Sequence, residues 1–115
     1  MTDRFIAVFE TKYFIKLTEK LLSAKEHSEL ITHLKANPKD GDVIAGTGGI
    51  RKIRWGRQGS GKRGGVRVIY YFYDKNGILI MLKTYAKNAQ TDLSAQEKQK
   101  YSDLVKVLIE TFNKR

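Results

Sequence analysis

Between Gly46 and Tyr73 the chain reads GTGGIRKIRWGRQGSGKRGGVRVIYYFY, and few folds accommodate that run. It reads as strand, basic glycine-rich loop, strand. In the first strand, Ile50–Trp55, side chains alternate, with Ile50, Lys52 and Arg54 on one face and Arg51, Ile53 and Trp55 on the other. The second, Val66–Tyr73, is rich in β-branched and aromatic residues, which suit a pleated sheet. It carries one charge in its middle, Arg67. A guanidinium in an apolar strand is costly to bury, so it requires a partner or a water-filled cleft. The simplest arrangement puts Lys52, Arg54 and Arg67 on one cationic sheet surface that receives an anion.

The flanking segments supply the other elements. Arg4–Phe9 is short, apolar and β-prone. From Glu10 to Leu22 the period becomes helical, with Phe14, Leu17 and Leu21 on one face. Ser23 and Glu26 match a capping box that restarts a helix carrying Leu30, Ile31 and Leu34 inward. That helix ends at Asn37, because Pro38 disfavours helical geometry in the residue before it. Asn76-Gly77 is a hairpin turn signal leading into a strand over Ile78–Lys87. Strict alternation groups Ile78, Ile80, Leu82, Thr84 and Ala86 on one face, and Leu79, Met81, Lys83, Tyr85 and Lys87 on the other. Ser94 and Glu97 form a second capping box, opening a helix over Ala95–Phe112 with the stripe Tyr101, Leu104, Val105, Leu108 and Phe112. The order is β-α-α-β-β-β-α, which predicts an α+β fold on a small, mainly antiparallel sheet. At 115 residues and 41% hydrophobic, the expected organisation is a single domain over residues 1–115.

Charge narrows the choice of partner. The formal net charge is +10. Arg51, Lys52, Arg54, Arg57, Lys62, Arg63 and Arg67 fall in one segment with no acid among them. Such a concentration favours a nucleic-acid or ribosome partner, although an acidic protein also suits it. There is no cysteine, hence no disulfide and no thiolate metal site. The first residues lack a signal-peptide layout, and no apolar run is long enough to span a membrane, so a cytoplasmic protein without a membrane partner is expected.

Three chemistries fail on inspection. GRQGSGK at Gly56–Lys62 resembles a phosphate loop, but Arg63 replaces the hydroxyl that holds magnesium, and a strand follows in place of a helix N-terminus. His27 and His33 lie six apart on a helix, whereas a helical metal pair needs three or four. Asp40 and Asp42 flank a turn glycine, which is ordinary turn composition. No metal or cofactor is therefore expected. What remains is the cationic face: Lys52, Arg54, Arg67, Lys83, Tyr85 and Lys87. A solvated outer sheet face is the plain account of it. The functional account is RNA phosphate binding, with or without cleavage. Metal-free cleavage needs a base for the 2′-OH, a cation for the charged phosphorane and an acid for the leaving 5′-oxygen. Clustered cations can bring a lysine toward neutrality, and an arginine can clamp a phosphate bidentately.

GDVIAGTGGIRKIRW, GKRGGVRVIYYFYD and YAKNAQTDLS together resemble the RelE/HigB superfamily of toxins, in particular its HigB-like branch from bacterial type II toxin–antitoxin systems. The resemblance covers nearly the whole chain. It implies a microbial-ribonuclease-like α+β fold and a metal-independent endoribonuclease that cuts mRNA on the ribosome and stops translation. It further implies a cognate antitoxin, of helix-turn-helix type, through which operator DNA is bound. By that resemblance Arg67 contacts the scissile phosphate, Lys52 and Arg54 are the basic pair of the preceding strand, and Lys87 is the lysine after the last strand. Some relatives carry an arginine after that lysine, where this chain has Asn88. Lys87, Lys52 and Tyr85 are the candidate acid and base, and Arg51, Arg57, Lys62, Arg63, Lys83 and Asn88 the candidate RNA contacts. A non-catalytic RNA- or ribosome-binding module of the same fold is the alternative function.

Overall fold

The computed structural model describes residues 5–56, 65–90 and 92–114. In chain order the elements are β1 (Ala7–Glu10), α1 (Lys12–Leu21), α2 (Ala24–Ala36), β2 (Asp42–Val43), β3 (Arg51–Trp55), β4 (Val66–Tyr73), β5 (Ile78–Ala86) and α3 (Ala95–Phe112). The strands form one sheet in the order β1-β5-β4-β3-β2. Every pairing is antiparallel except β1 with β5. The fold is α+β, as the element order predicts, with the two-residue β2 added at one edge.

Local chemistry fixes the helix ends. Thr11 caps α1 by accepting from the Phe14 backbone N–H. Ser23 with Glu26 and Ser94 with Glu97 form complete capping boxes at α2 and α3, each satisfying two otherwise orphaned N–H groups. α2 stops at Ala36, with Asn37 as its cap before Pro38. Gly77 closes the β4–β5 turn at φ +66°, in the left-handed region that favours glycine.

The sheet buries both faces. On one side α1 and α2 bring Phe14, Leu22, Leu30 and Leu34 onto Val66, Val68, Tyr70, Phe72, Leu79 and Met81. On the other, α3 brings Tyr101 and Val105 onto Ile69, Ile80 and Leu82. The Tyr70 hydroxyl donates to Pro38 O and accepts from Gly41 N–H, both at 2.9 Å. A Cβ on Gly41 would meet that ring at 2.9 Å, so glycine is required there for room.

Two expectations from periodicity change. The inward stripe of α1 is Phe14 and Thr18, continued by Leu22, with Leu17 and Leu21 only partly covered. Thr18 turns inward because its Oγ1 hydrogen-bonds Thr84 Oγ1 at 2.9 Å, which satisfies both buried hydroxyls. Strict alternation also fails along β5. Ile69 faces Lys83 while the next residue, Tyr70, faces Met81, so Leu82 has no partner of its own. This bulge shifts the phase of the strand. Leu79 and Met81 face α1 and α2, but beyond Leu82 it is Thr84 that faces α1, and Lys83 and Tyr85 turn toward α3.

Candidate functional site

The bulge brings the sequence-predicted residues together. Arg54 stands opposite Arg67 across β3 and β4, and Arg67 stands opposite Tyr85 across β4 and β5. One step along, Lys52, Ile69 and Lys83 form a parallel row. Residues in register share a face, so both rows lie on the α3 side of the sheet, where Ile69 and Tyr85 join the α3 cluster and Lys83 meets Glu97. Arg54 is exposed, and Lys52 and Arg67 are half-buried.

Like charges placed directly opposite on a sheet repel. Arg54 and Arg67 nevertheless face each other, and among the described residues neither forms an ion pair. Fold stability alone does not account for that pair. An anion seated between the two guanidiniums would relieve the repulsion and accept bidentate hydrogen bonds.

The lysines differ from one another. Lys52 Nζ donates to Asp92 Oδ1 at 2.5 Å. Its hydrogen bond and charge hold the Asp92 carboxyl below the usual carboxylate range. Lys83, expected among the RNA contacts, is 7% exposed. It pairs with Glu97 and donates to Gln90 Oε1 at 2.9 Å. Its charge is neutralised inside the fold by the Glu97 carboxylate. Burial would raise the Glu97 carboxyl, but hydrogen bonds from Lys83, the Ser94 backbone and Gln90, with the Lys83 charge, outweigh burial and bring it down to about 2. Gln90 Nε2 also donates to Asp92 O at 2.7 Å. Lys83, Glu97, Gln90 and Asp92 thus form one chain of contacts ending on Lys52. Lys87 and Asn88 are exposed in the turn after β5, and among the described residues Lys87 forms no ion pair.

Tyr85 is 4% exposed, with Lys83 Nζ 5.6 Å from its ring centroid. Burial raises its hydroxyl above the ordinary tyrosine value, and the Asp92 and Glu97 charges add to this against the opposing pull of Arg67. A phenol so placed holds its proton at neutral pH and suits the role of acid rather than base.

Arg51, expected as an RNA contact, lies on the opposite face. Its Nη1 donates to Lys39 O at 3.1 Å and Gly41 O at 2.6 Å, holding the loop before β2. Those carbonyls occupy the guanidinium on the wrong side of the sheet for the site. Arg57, Lys62 and Arg63 lie outside the described residues. The base of their loop is placed, because Lys87 N–H donates to Gly65 O at 3.4 Å at the end of β5.

His27 meets Glu10 at 2.5 Å and His33 meets Asp40 at 2.7 Å, each in a local pair. Among the described residues no cluster of three or more His, Cys, Asp or Glu side chains suits a metal ion, and no helix is long and apolar enough to cross a membrane. Sequence reasoning missed Asp92 and Gln90, which carry no motif. It found Glu97 only as a cap, because the capping box says nothing of the lysine that the bulge brings to it.

A family profile described as "RelE toxin of RelE / RelB toxin-antitoxin system" matches residues 6–115. Among solved structures, the isolated E. coli RelE toxin is similar at a TM-score of 0.57 and 16% identity, over 90% of this chain and 99% of that one. A double arginine-to-alanine mutant of E. coli RelE in the free state is similar at 0.55 and 16%, over 74% and 86% of the two chains. A chain of the intact E. coli RelBE toxin–antitoxin complex is similar at 0.54 and 15%, over 70% and 95%. At these identities the structures establish a shared fold.

Proposed function

This chain belongs to the RelE toxin family of toxin–antitoxin systems, and from that premise we propose that it is a metal-independent endoribonuclease that cuts mRNA on the ribosome and so inhibits translation. The observation that carries the reading is the row Arg54–Arg67–Tyr85: two opposed guanidiniums without a carboxylate among the described residues, next to a buried phenol that keeps its proton.

In the proposed reaction the RNA 2′-oxygen attacks the adjacent phosphorus. The O2′–P bond forms, the P–O5′ bond breaks, and a 2′,3′-cyclic phosphate and a free 5′-hydroxyl result. Arg67 and Arg54 stabilise the charge that builds on the phosphorane oxygens, where preorganised cations contribute most. Lys87 takes the 2′-hydroxyl proton, since Lys52 is engaged by Asp92 in the free protein. Tyr85 gives its proton to the leaving 5′-oxygen. Arg57, Lys62 and Arg63 are assigned to the RNA backbone on their charge alone, with Asn88 beside Lys87.

The partner in the cell is a cognate antitoxin. We assign it the helix-turn-helix, DNA-binding type, so that operator DNA is reached only through it. The HigB-like branch and a cytoplasmic location belong to the same proposal. Inducing the chain alone in a bacterium is expected to arrest growth and protein synthesis, and co-expressing the neighbouring reading frame to restore both. Normal growth with folded protein at verified levels would remove the toxin reading.

A further inference from the structure

A pocket of about 280 Å³ opens between α1 and the C-terminal half of β5. Tyr13, Leu17, Lys20 and Leu21 line it from the helix, and the stretch from Lys83 to Ala86, with Ala89, from the strand side. It exists because β1 pairs with β5 only from Ile78 to Met81, so that beyond Met81 the edge of β5 is covered by α1 instead of a strand. It stays open because α1 buries Phe14 and Thr18 and leaves Leu17 and Leu21 on the pocket wall. The Thr18–Thr84 hydrogen bond pins helix to strand beside it.

The rim has its own chemistry. Tyr13 is 46% exposed. Lys100 of α3 sits 5.5 Å from its ring centroid and 5.5 Å from that of Tyr101. Along α1, Lys12, Lys16 and Lys20 recur every fourth residue, and all three are exposed. Their spacing is about 6 Å along the helix axis, comparable to the step between neighbouring phosphates of an extended polynucleotide. The volume lies just below the range for ligand pockets, about 300–1,000 Å³. That is room for one planar heteroaromatic group and too little for a helix.

We propose that this pocket takes an unstacked nucleobase of the RNA, with the α1 lysines carrying the backbone that leads to it. The proposal rests on the RNA-cleaving reading above and adds a base-binding subsite to it. Tyr85 lines the pocket and stands opposite Arg67 across one strand spacing, about 5 Å, so the base belongs to a nucleotide close to the scissile one. Single-stranded RNA is recognised by splaying bases onto aromatic side chains, and each such stack contributes substantially to affinity. The competing occupant, an apolar segment of a protein partner, has no need of an aromatic rim set among lysines.

The test uses the full chain and a fluorescent 2′-O-methyl oligoribonucleotide, which binds but cannot be cleaved because the nucleophile is blocked. A set of the same oligomers carries one abasic position at each place in turn. Tyr13→Ala is expected to weaken binding about tenfold, and Tyr13→Phe to retain it. One abasic position is expected to weaken wild-type binding by a similar factor and to have no further effect on Tyr13→Ala. Leu17→Trp, which fills the pocket from its wall, is expected to reproduce the loss with an unchanged melting temperature. Equal binding by wild type and Tyr13→Ala would overturn the proposal, as would an abasic loss that persists in full in Tyr13→Ala. Retained RNA binding with lost antitoxin capture in Tyr13→Ala would overturn it in favour of a protein occupant. If wild type binds through Tyr13 but cuts no mRNA on ribosomes, the pocket stands and the nuclease reading falls.

Discussion

Arg67 and Tyr85 are opposite one another across β4 and β5, and they meet only because Leu82 bulges out of register. The pairing sets a permanent cation beside a buried phenol whose proton is retained. It gives one face of a small sheet a cation and a proton-bearing phenol, the two groups on which the proposed cleavage draws.

Arg67→Ala is expected to abolish toxicity and to lower ribosome-coupled mRNA cleavage by about a hundredfold or more, the scale for losing one transition-state contact. The melting temperature should hold, because the guanidinium is half-buried, pairs with no carboxylate among the described residues and faces a like charge. Arg67→Lys should recover part of the activity, keeping the charge without the planar fork. Near-normal cleavage by a folded Arg67→Ala would move the site elsewhere.

Asp92 competes for Lys52 with any phosphate that binds there. Asp92→Asn should therefore tighten RNA binding and steepen its dependence on salt by about one in log–log slope, as one more phosphate contact becomes available. Titrations of a non-cleavable oligoribonucleotide at several salt concentrations measure both. A flatter slope in Asp92→Asn would mean that Lys52 depends on the carboxylate for its position.

The Lys83–Glu97 pair links pH to stability. The Glu97 carboxyl is depressed to about 2 from a reference of 4.5. Its contribution is thus complete above about pH 4.5 and is lost as the pH falls from there toward 2. Glu97→Gln is expected to destabilise the fold by on the order of 2 kcal/mol at neutral pH, through loss of a charged hydrogen bond in a partly buried setting. It should also flatten acid unfolding between pH 4.5 and 2. Urea melts across that range check this, and an unchanged acid limb would assign the stabilisation to the capping contact alone.

Deleting Leu82 removes the unpaired residue while Ile69–Lys83 and Arg67–Tyr85 keep their register, so Lys83 stays on the α3 side with Glu97. A less stable fold with the site still assembled is expected, because one buried side chain is lost and the pairs on either side of it are kept. Leu82→Ala keeps the residue count and the phase, and should lose about 2–5 kcal/mol while leaving the site assembled. Melting of the deletion variant far below that of Leu82→Ala would show that the bulge itself holds the two strands in place.

Local chemistry was legible where it is encoded within a few residues. Both capping boxes, the Asn76-Gly77 turn, the stop before Pro38 and the bounds of α3 follow from short motifs. Arg67 could be singled out because a charge inside an apolar strand stands out from its neighbours. The rest depends on contacts distant in sequence. A bulge leaves no residue signature when the extra residue is itself apolar, as Leu82 is. The roles of Lys83 and Arg51 are set by Glu97 and by the carbonyls of Lys39 and Gly41, fourteen and ten to twelve residues away. No strand or helix period reports such pairings. Thr18 replaced Leu17 in the core for a similar reason, its partner being Thr84.

The phase shift in β5 also divides the strand into two parts with separate duties. Ahead of Leu82, Leu79 and Met81 fill the interior against α1 and α2, and Ile80 fills the interior against α3. Past it, Lys83 and Tyr85 take the face that carries Arg54 and Arg67, and Thr84 takes the face under α1. A variant library confined to the second part therefore tests the proposed site and the Lys83–Glu97 and Thr18–Thr84 contacts together, so each member needs a melting temperature beside its activity.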